Sequence, residues 1–326
     1  MNRPTLADVS GACEAVYAAL QPSPLLRHPL LAEHLGADVW VKHENHNPTG
    51  AFKVRGGLNL IARLSDADRT RGVISATTGN HGQSIAFAAS RAKVPCTLVV
   101  PVGNNPGKNA LMRAWGATLI EHGRDFDEAR ELVERLGEER RLRYVHSANE
   151  PDLIAGVGTY ALEVFEALGE IDTVFVPIGG GSGACGLIVV RDALGLKTRI
   201  VGVGAANADA VARSWRTGSR VIGAKADTFA EGIATRVTFD LTFGILQRGL
   251  DDFISLSEDE LAGGVRLALD LTHNLAEGAG AASIAAALKA RDRIRGKRVV
   301  CVMSGGNIDI PVLAQVLAST GRTPTV

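Results

Sequence analysis

Short apolar runs rich in β-branched residues alternate with amphipathic stretches along almost the whole chain. This alternation predicts an α/β fold with largely parallel sheets, because a helix is the usual connection between two parallel strands. The predicted strands are Val39–Lys42, Val73–Ala76, Thr97–Val100, Thr118–Glu121, Tyr144–His146, Thr173–Pro177, Ile200–Gly204, Phe253–Ser255 and Arg298–Met303. The main predicted helices are Gly82–Ala92, Asn109–Trp115, Asp125–Leu136, Pro151–Leu168, Ser257–Leu271 and Ala279–Lys289, and Ser257 with Glu260 forms a capping box.

The pattern over residues 72–148 predicts a separate compact unit of strands and helices. We expect a small inserted domain there and a larger domain formed by residues 1–71 and 149–326. The chain would then cross between the domains twice, and a cleft between domains is a common place for a ligand.

The composition excludes several classes of function. The 326 residues contain 35 basic and 35 acidic side chains, so nothing in the charge favours nucleic acid or an anionic membrane. The four cysteines, Cys13, Cys96, Cys185 and Cys301, are widely spaced and form no metal-binding motif. Since no signal peptide or membrane-spanning run is visible, we expect a cytoplasmic protein with reduced thiols.

Lys53 is the strongest candidate for chemistry. It follows Phe52 and a turn rich in Pro, Thr and Gly, and a pair of glycines comes soon after it. A lysine at such a junction can turn inward, lose hydration and acquire a lower pKa, as an amine needs in order to form a Schiff base. Taken alone, the same pattern also fits an ordinary lysine whose stem is covered and whose ammonium stays in water.

A glycine-rich loop, Gly179-Gly180-Gly181-Ser182-Gly183, joins a predicted strand to a predicted helix. Backbone N–H groups at such a helix start can converge on an anion, so the loop predicts phosphate binding. The run Gly181–Gly186 also fits the dinucleotide pattern GxGxxG. The next strand ends at Gly204 without the carboxylate that would hold a ribose, which favours a single phosphate.

Three other loops combine small and polar residues. The segment Ser75–Gly82 suits a substrate carboxylate or, equally, a helix cap by Thr78 or Asn80. His81 has no visible carboxylate partner, which favours a structural role. The remaining two loops are Met303–Asn307, at the end of a strand, and Glu277–Ala281, at a helix start.

Taken together, these segments resemble the fold-type II pyridoxal-phosphate enzymes, specifically the threonine/serine dehydratase and serine racemase group. The resemblance covers nearly the whole chain and implies a two-domain, tryptophan-synthase-β-like fold. The matching stretches, in family order, are Glu44–Gly57, Ser75–Gln83, Ile154–Thr159, Gly179–Gly183, Phe229–Ile233, Glu277–Gly280 and Ser304–Asn307.

The resemblance also implies roles for single residues. Lys53 would anchor pyridoxal 5′-phosphate through a Schiff base, with Phe52 packed near the ring and Asn80 bonded to its 3′-oxygen. Ser304 would face the pyridine nitrogen. The phosphate would lie in the loop Gly179, Gly180, Gly181, Ser182 and Gly183, and Gly232 and Glu277 would complete the cofactor site. The loop for the substrate carboxylate would be Thr77, Thr78, Gly79, Asn80 and His81.

Ser304 favours one reaction type over another. A neutral hydroxyl holds the pyridine nitrogen protonated less firmly than a carboxylate, so expulsion of a β-substituent competes better than transamination. The resemblance therefore implies β-elimination of water from a 3-hydroxy amino acid, with Lys53 as the Cα base. The products would be a 2-keto acid and ammonia, released through an enamine.

The chain departs from the family pattern at three places. Gly204 and Ala210 stand where serine racemase-like members bind a metal, with only Asp209 nearby, so we expect no divalent-metal requirement. Thr78, a candidate catalytic residue, replaces the serine that acts as the second acid/base in racemases. Its hydroxyl can still donate a proton, but its methyl group restricts χ1. We therefore expect dehydration, with racemisation as the alternative. Glu231 replaces the usual Asp, which leaves the substrate open.

Several alternatives remain. Threonine, serine, hydroxyaspartate, phenylserine and a hydroxyectoine-related compound are all candidate substrates. β-Replacement is disfavoured because His81 stands where those enzymes carry a threonine, and a phosphate-ligand-binding protein without chemistry would form no Schiff base. The family suggests a homodimer. We expect no regulatory domain after the segment that ends at Asn307, and therefore a catabolic role.

Overall fold

The computed structural model describes residues 2–319, apart from the side chain of Asp127. In chain order its strands are β1 (Leu25–Arg27), β2 (Asp38–His43), β3 (Val73–Ala76), β4 (Cys96–Val100), β5 (Thr118–Glu121), β6 (Arg143–Tyr144), β7 (Thr173–Pro177), β8 (Arg199–Ala205), β9 (Asp252–Leu256) and β10 (Arg298–Met303).

The α-helices are α1 (Leu6–Tyr17), α2 (Pro29–Leu35), α3 (Lys53–Ala62), α4 (Asp66–Arg71), α5 (Asn80–Ala92), α6 (Pro106–Ala114), α7 (Phe126–Glu139), α8 (Pro151–Leu168), α9 (Ser182–Ala193), α10 (Ala210–Thr217), α11 (Asp240–Gly249), α12 (Glu258–Thr272), α13 (Gly278–Lys289), α14 (Arg291–Ile294) and α15 (Ile310–Ala318). Short 3₁₀ turns occur at Glu44–His46, Ala206–Ala208 and Glu231–Ile233.

The chain divides into two compact units. The first unit contains Lys53–Thr159 and the residues before Gln21, and the second contains Gln21–Phe52 and the residues from Tyr160 onward. The first unit therefore includes residues 72–148 together with α1, α3 and α4. The assignment of a large cofactor domain and a small substrate domain stays a prediction.

The first unit is built on a four-stranded parallel sheet in the order β5-β4-β3-β6. Val73, Ile74, Leu98 and Val99 of its central strands are fully or almost fully buried. Because both faces are covered by helices, these strands read as continuous apolar runs. The carboxyl end of β3 carries the polar segment that begins at Thr77.

The second unit is built on a six-stranded sheet in the order β1-β2-β10-β7-β8-β9. All neighbouring strands are parallel except β1, which runs antiparallel to β2. The predicted α/β class with largely parallel sheets is therefore confirmed. Eight of the twelve residues of helix α13 are alanine or glycine, and the helix is buried along most of its length, so it packs close to the sheet.

Two further expectations can be compared with the structure. The capping box of Ser257 and Glu260 is present at the start of α12. All four cysteines are free, and Cys96, Cys185 and Cys301 are buried. Burial raises the pKa of the Cys96 and Cys301 thiols to about 12. Among residues 2–319, no helix is both long enough and apolar enough to cross a membrane.

Candidate functional site

Lys53 is the first residue of α3, and its side chain is partly buried. Its Nζ donates a long hydrogen bond of 3.5 Å to the carbonyl oxygen of Ser147. Burial lowers the pKa of the Lys53 ammonium to about 8. A larger fraction of this amine is therefore unprotonated near neutral pH than for an ordinary lysine, which suits it to attack a carbonyl carbon.

Glycines hold α3 close to its neighbours. A Cβ on Gly56 would stand 2.8 Å from the carbonyl oxygen of Leu153, and a Cβ on Gly57 would stand 2.8 Å from that of Ser84. The Ser84 hydroxyl also donates a 2.6 Å hydrogen bond to the carbonyl oxygen of Lys53. The helix that carries the amine is thus packed backbone against backbone, which fixes the position of its first residue.

The loop between β3 and α5 is organised by the buried hydroxyl of Thr77. Its oxygen accepts hydrogen bonds from the N–H groups of Gly79 and Gly82, at 3.0 and 2.9 Å, and it donates to the Gly79 carbonyl oxygen at 3.3 Å. Thr78 and Asn80 are partly exposed. The Thr78 hydroxyl makes no hydrogen bond within the described part of the chain, so Thr77 shapes the loop while Thr78 offers a hydroxyl.

His81 is buried and neutral. The Ser75 hydroxyl donates to the Val145 carbonyl oxygen at 2.7 Å, and His81 Nε2 lies 2.9 Å from the same Ser75 oxygen. Since Ser75 has one proton to donate, we assign the imidazole proton to Nε2 of His81. Burial, with a smaller contribution from the charge of Lys53, lowers the pKa of His81 to about 3. The ring is therefore uncharged at neutral pH.

His146 shapes the segment that contacts Lys53. Its Nδ1 accepts hydrogen bonds from the N–H groups of Ala148 and Asn149 at 3.0 and 2.9 Å, and burial lowers its pKa to about 4. These bonds close a turn around Ser147, whose carbonyl accepts from Lys53. The sequence showed His146 only as the end of a predicted strand, so its side-chain role could not be read from the pattern.

In the second unit, the glycine-rich loop joins β7 to α9. Gly181 precedes the first helical residue with φ of +95° and no side-chain cap. A Cβ on Gly179 would stand 2.3 Å from the carbonyl oxygen of Gly232, so only glycine allows these two backbones to approach so closely. The Tyr160 hydroxyl anchors the start of α9 by donating to the Gly183 carbonyl oxygen at 2.8 Å.

The first turn of α9 has the character of an anion site. The N–H groups at a helix start lack intrahelical acceptors and carry partial positive charge. Here the residues that present them are glycine and serine, so little side-chain volume covers them. The predicted phosphate loop, Gly179, Gly180, Gly181, Ser182 and Gly183, thus has the required local form.

The segment before Lys53 pairs with the loop after β10. Ala51 and Gly305 form an isolated antiparallel bridge, and the Phe52 N–H donates to the Ser304 carbonyl oxygen at 3.0 Å. The ring of Phe52 lies 3.5 Å from the point where a Cβ on Gly183 would stand. Phe52, Ser304 and the glycine-rich loop are therefore neighbours within the second unit.

The side chain of Ser304 is buried, and its hydroxyl makes no hydrogen bond among residues 2–319. Glu277 lies close by, since its Oε1 is 2.8 Å from the Cβ point of Gly305 and 3.4 Å from that of Gly232. The Glu277 N–H also donates to the Gly305 carbonyl oxygen at 3.1 Å. The structure thus brings together Gly232, Glu277 and Ser304, which come from three separate segments of the sequence.

The region after β8 contains Gly204, Asp209 and Ala210. Asp209 pairs with Arg213 on the surface, with Nε and Oδ1 3.0 Å apart. In the part of the chain that the structure describes, no three His, Cys, Asp or Glu side chains are grouped so that they could hold a metal. The absence of a divalent-metal requirement stays a prediction.

Comparison with known proteins identifies the family of this chain and several relatives. Residues 16–305 match the family described as "Pyridoxal-phosphate dependent enzyme". An L-threonine ammonia-lyase of Thermotoga maritima is 36% identical over 315 residues, which cover 96% of this chain and 78% of that protein. An L-threo-3-hydroxyaspartate ammonia-lyase of Saccharomyces cerevisiae is 32% identical, and the match covers 99% of both chains.

The fold has solved relatives as well. The processed form of threonine deaminase isoform 2 from Solanum lycopersicum superposes with a TM-score of 0.91 and is 31% identical. The match covers 98% of this chain and 96% of that one. Both the helices and the two sheets described above are therefore those of a fold already known in experimental structures.

Proposed function

Because the chain belongs to the pyridoxal-phosphate-dependent enzymes, we propose that it is an ammonia-lyase acting on a 3-hydroxy amino acid. The products are a 2-keto acid and ammonia, and water is eliminated in the first stage. The observation that carries the proposal is Lys53, a partly buried amine whose pKa is lowered to about 8. The ammonia-lyases among its relatives supply the reaction type.

The residues of the second unit fit the cofactor. The glycine-rich loop offers backbone N–H groups to a phosphate, and the Cβ positions of Gly179 and Gly181 are both too crowded or too strained for a side chain. Phe52 gives an apolar ring beside that loop. Ser304 provides a hydroxyl for the pyridine nitrogen, and Gly232 and Glu277 lie next to it.

Pyridoxal phosphate supplies an electron-withdrawing group that acidifies the substrate Cα–H when it is bound. Lys53 would hold the cofactor covalently, and its Nζ would accept the proton from the substrate Cα. Asn80 would hold the 3′-oxygen of the cofactor. The substrate carboxylate would bind at the loop of Thr77, Thr78, Gly79, Asn80 and His81. Thr78 would be the side-chain donor of this loop, since its hydroxyl makes no hydrogen bond within the described residues.

The remaining bond changes take place on the substrate. The Cβ–O bond would break, and the leaving oxygen would take the proton that Lys53 Nζ accepted from Cα and depart as water. The resulting enamine tautomerises to an imine, to which water adds, and ammonia leaves. His81 stays neutral throughout, since its pKa is about 3, so the loop positions the carboxylate without adding a titrating group.

Two substrate types are favoured by the comparisons. The relative that acts on L-threo-3-hydroxyaspartate matches this chain end to end, and the relative that acts on L-threonine matches most of its length. Both substrates carry a β-hydroxyl, which is the leaving group of the proposed reaction. We propose L-threonine, L-serine and L-threo-3-hydroxyaspartate as the first compounds to assay.

The test measures keto acid and ammonia from each compound with purified holoenzyme. We expect equimolar keto acid and ammonia from at least one of them. Lys53→Ala should lose at least about a thousandfold in kcat and the absorbance of the lysine-bound cofactor. The control is Lys197→Ala, which removes an exposed lysine and should match the wild type.

The result that contradicts the proposal is cofactor absorbance that survives in Lys53→Ala, or the absence of keto acid with every hydroxy amino acid. Chiral analysis of the remaining substrate tests the alternative reaction. If the D-amino acid forms faster than the keto acid, the protein is a racemase and the assignment as a lyase is wrong.

We also propose that the enzyme is a cytoplasmic homodimer. The proposal of a dimer follows from the family resemblance, and Leu26, Leu30, Ile310 and Leu317 of the second unit are large apolar side chains at least 46% exposed that a partner subunit could cover. The four free cysteines suit a reducing compartment. Light scattering that gives the mass of one chain would contradict the dimer.

A further inference from the structure

Lys108 lies beside the loop that is proposed to bind the substrate carboxylate. It is the third residue of α6, and its N–H donates to Oδ1 of the capping residue Asn105 at 2.8 Å. Although lysines are mostly exposed, this residue is only 9% exposed. Its backbone is thus fixed by a helix cap, and its side chain is directed into the first unit.

The side chain of Lys108 runs past Gly79. The point where a Cβ on Gly79 would stand is 3.1 Å from Cδ of Lys108, 3.6 Å from Cε and 3.8 Å from Nζ. The alkyl stem therefore occupies the place that a side chain at position 79 would take. The ammonium group reaches the middle of the loop because residue 79 is glycine.

The other polar groups of this loop are uncharged. The Thr77 hydroxyl is already used by the N–H groups of Gly79 and Gly82. His81 is neutral because burial lowers its pKa to about 3. The start of α5 adds only partial positive charge. Two lysines outside the loop can add positive charge to it. One is Lys53, whose charge acts on His81 and whose amine is proposed to hold the cofactor. The other is Lys108, whose Nζ lies 3.8 Å from the Cβ point of Gly79.

We infer that Lys108 is a binding residue for the α-carboxylate of the substrate. The inference rests on the proposed function, since that function places the carboxylate at this loop. An ammonium close to the binding N–H groups converts neutral hydrogen bonding into charge-assisted binding, which is about twice as strong. It also selects amino acids over their amides, because only the acid carries the negative charge.

The experiment compares L-serine with L-serinamide, which differ at the carboxylate, in wild-type holoenzyme and in Lys108→Met. Methionine keeps the length of the stem and removes the charge. Binding is followed by the change in cofactor absorbance, and kcat and KM are measured for the acid. We expect the dissociation constant of L-serine to rise about tenfold or more, with that of the amide within about twofold.

A structural role for Lys108 would move both ligands together. Equal losses for L-serine and L-serinamide, or no loss for either, would therefore overturn the inference. Lys108→Arg keeps the positive charge and should restore a preference for the acid. Lys93→Met, at an exposed lysine of the same unit, is the matched control and should leave both constants unchanged.

A second variant covers the case in which Lys108→Met does not fold. Gly79→Ala places a methyl group 3.1 Å from Lys108 Cδ and should push the stem away, giving the same acid-selective loss. In the double variant, where this can be made, the two losses should not add, because both act on one ammonium. Full additivity would contradict a shared cause.

The two proposals fail in different ways. If the wild type binds pyridoxal phosphate but releases no keto acid from any compound, the lyase function is wrong. The acid-to-amide ratio is still measurable in that case, since the absorbance titration needs binding and no turnover. If turnover is normal and the ratio does not respond to Lys108, the lyase stands and the binding role is wrong.

Discussion

The two units present their candidate residues in different ways. In the first unit the groups are side chains, with Lys53, His81 and His146 each shifted in pKa by burial and Thr77 bonded into its own loop. In the second unit the glycine-rich loop offers backbone N–H groups, and a neutral Ser304 lies near it. A phosphate monoester carries up to two negative charges on three oxygens and needs several donors in fixed directions, which the backbone supplies. Proton transfer instead needs a side chain that titrates.

The largest expected effect tests the backbone side of this comparison. Gly181→Ala forces an alanine to φ of +95° and places its Cβ 3.0 Å from Leu246 Cδ1. The strain of about 1 kcal/mol or more shifts the N–H groups at the start of α9. We expect the affinity for pyridoxal phosphate to fall about a hundredfold, measured by absorbance titration of cofactor-free protein.

The matched control is Gly195→Ala. Gly195 also has positive φ, +64°, but nothing lies within 4 Å of its Cβ point. It should lose stability while keeping its affinity for the cofactor. If Gly181→Ala keeps the wild-type affinity too, the glycine-rich loop does not hold the phosphate, and the contrast between the units disappears.

The second-largest expected effect tests the role of a side chain in the first unit, the hydroxyl of Thr77. Thr77→Val keeps the shape of the residue but leaves the N–H groups of Gly79 and Gly82 without their acceptor. We expect the free energy of unfolding to fall by about 2 kcal/mol, measured by urea denaturation. Thr77→Ser retains the oxygen and should lose much less. A valine variant as stable as the serine variant would show that the hydroxyl does not organise the loop.

The smallest effect concerns pH. The pKa of Lys53 falls from 10.5 in the unfolded chain to about 8 in the fold, so between these values the unfolded state binds more protons. Stability of the cofactor-free protein should therefore rise with pH from about 8 to 10.5, by on the order of 1 kcal/mol after solvent screening. Lys53→Met should lack this part of the rise.

The measurement is denaturant unfolding of both proteins at pH 7.5 and at pH 10. Only the difference between them counts, because other groups also titrate in this range. Identical pH dependence would mean that the Lys53 amine is solvated in the cofactor-free protein.

Much of the fold could be predicted because most strands of the two sheets are apolar runs of four or more residues, which are recognisable in the sequence. β3, β5, β7 and β10 were predicted at their observed bounds. β1 was missed, since Leu25–Arg27 is only three residues long, lies at the sheet edge and shows no period. The strand predicted over Tyr144–His146 is observed as Arg143–Tyr144, because the His146 side chain bonds the following backbone and closes a turn.

Candidate residues could be predicted where the residue types themselves show an unusual backbone. A run of glycines and a lysine after a turn are such patterns, and they indicated Gly179–Gly183 and Lys53. The direction of a side chain cannot be predicted from residue type. Thr77 and Thr78 are adjacent threonines, yet one is buried in its loop and the other offers its hydroxyl. Lys108 lies in a surface-like helix start and is recognised only by its contact with Gly79.

The glycine contacts of α3 bear on how this protein can change. Gly56 and Gly57 take part in no chemistry, yet any side chain there would move the helix whose first residue is Lys53. We therefore expect side chains at these two positions to be poorly tolerated. Laboratory evolution for a new hydroxy amino acid should therefore leave the two glycines untouched, since a side chain at either would displace Lys53.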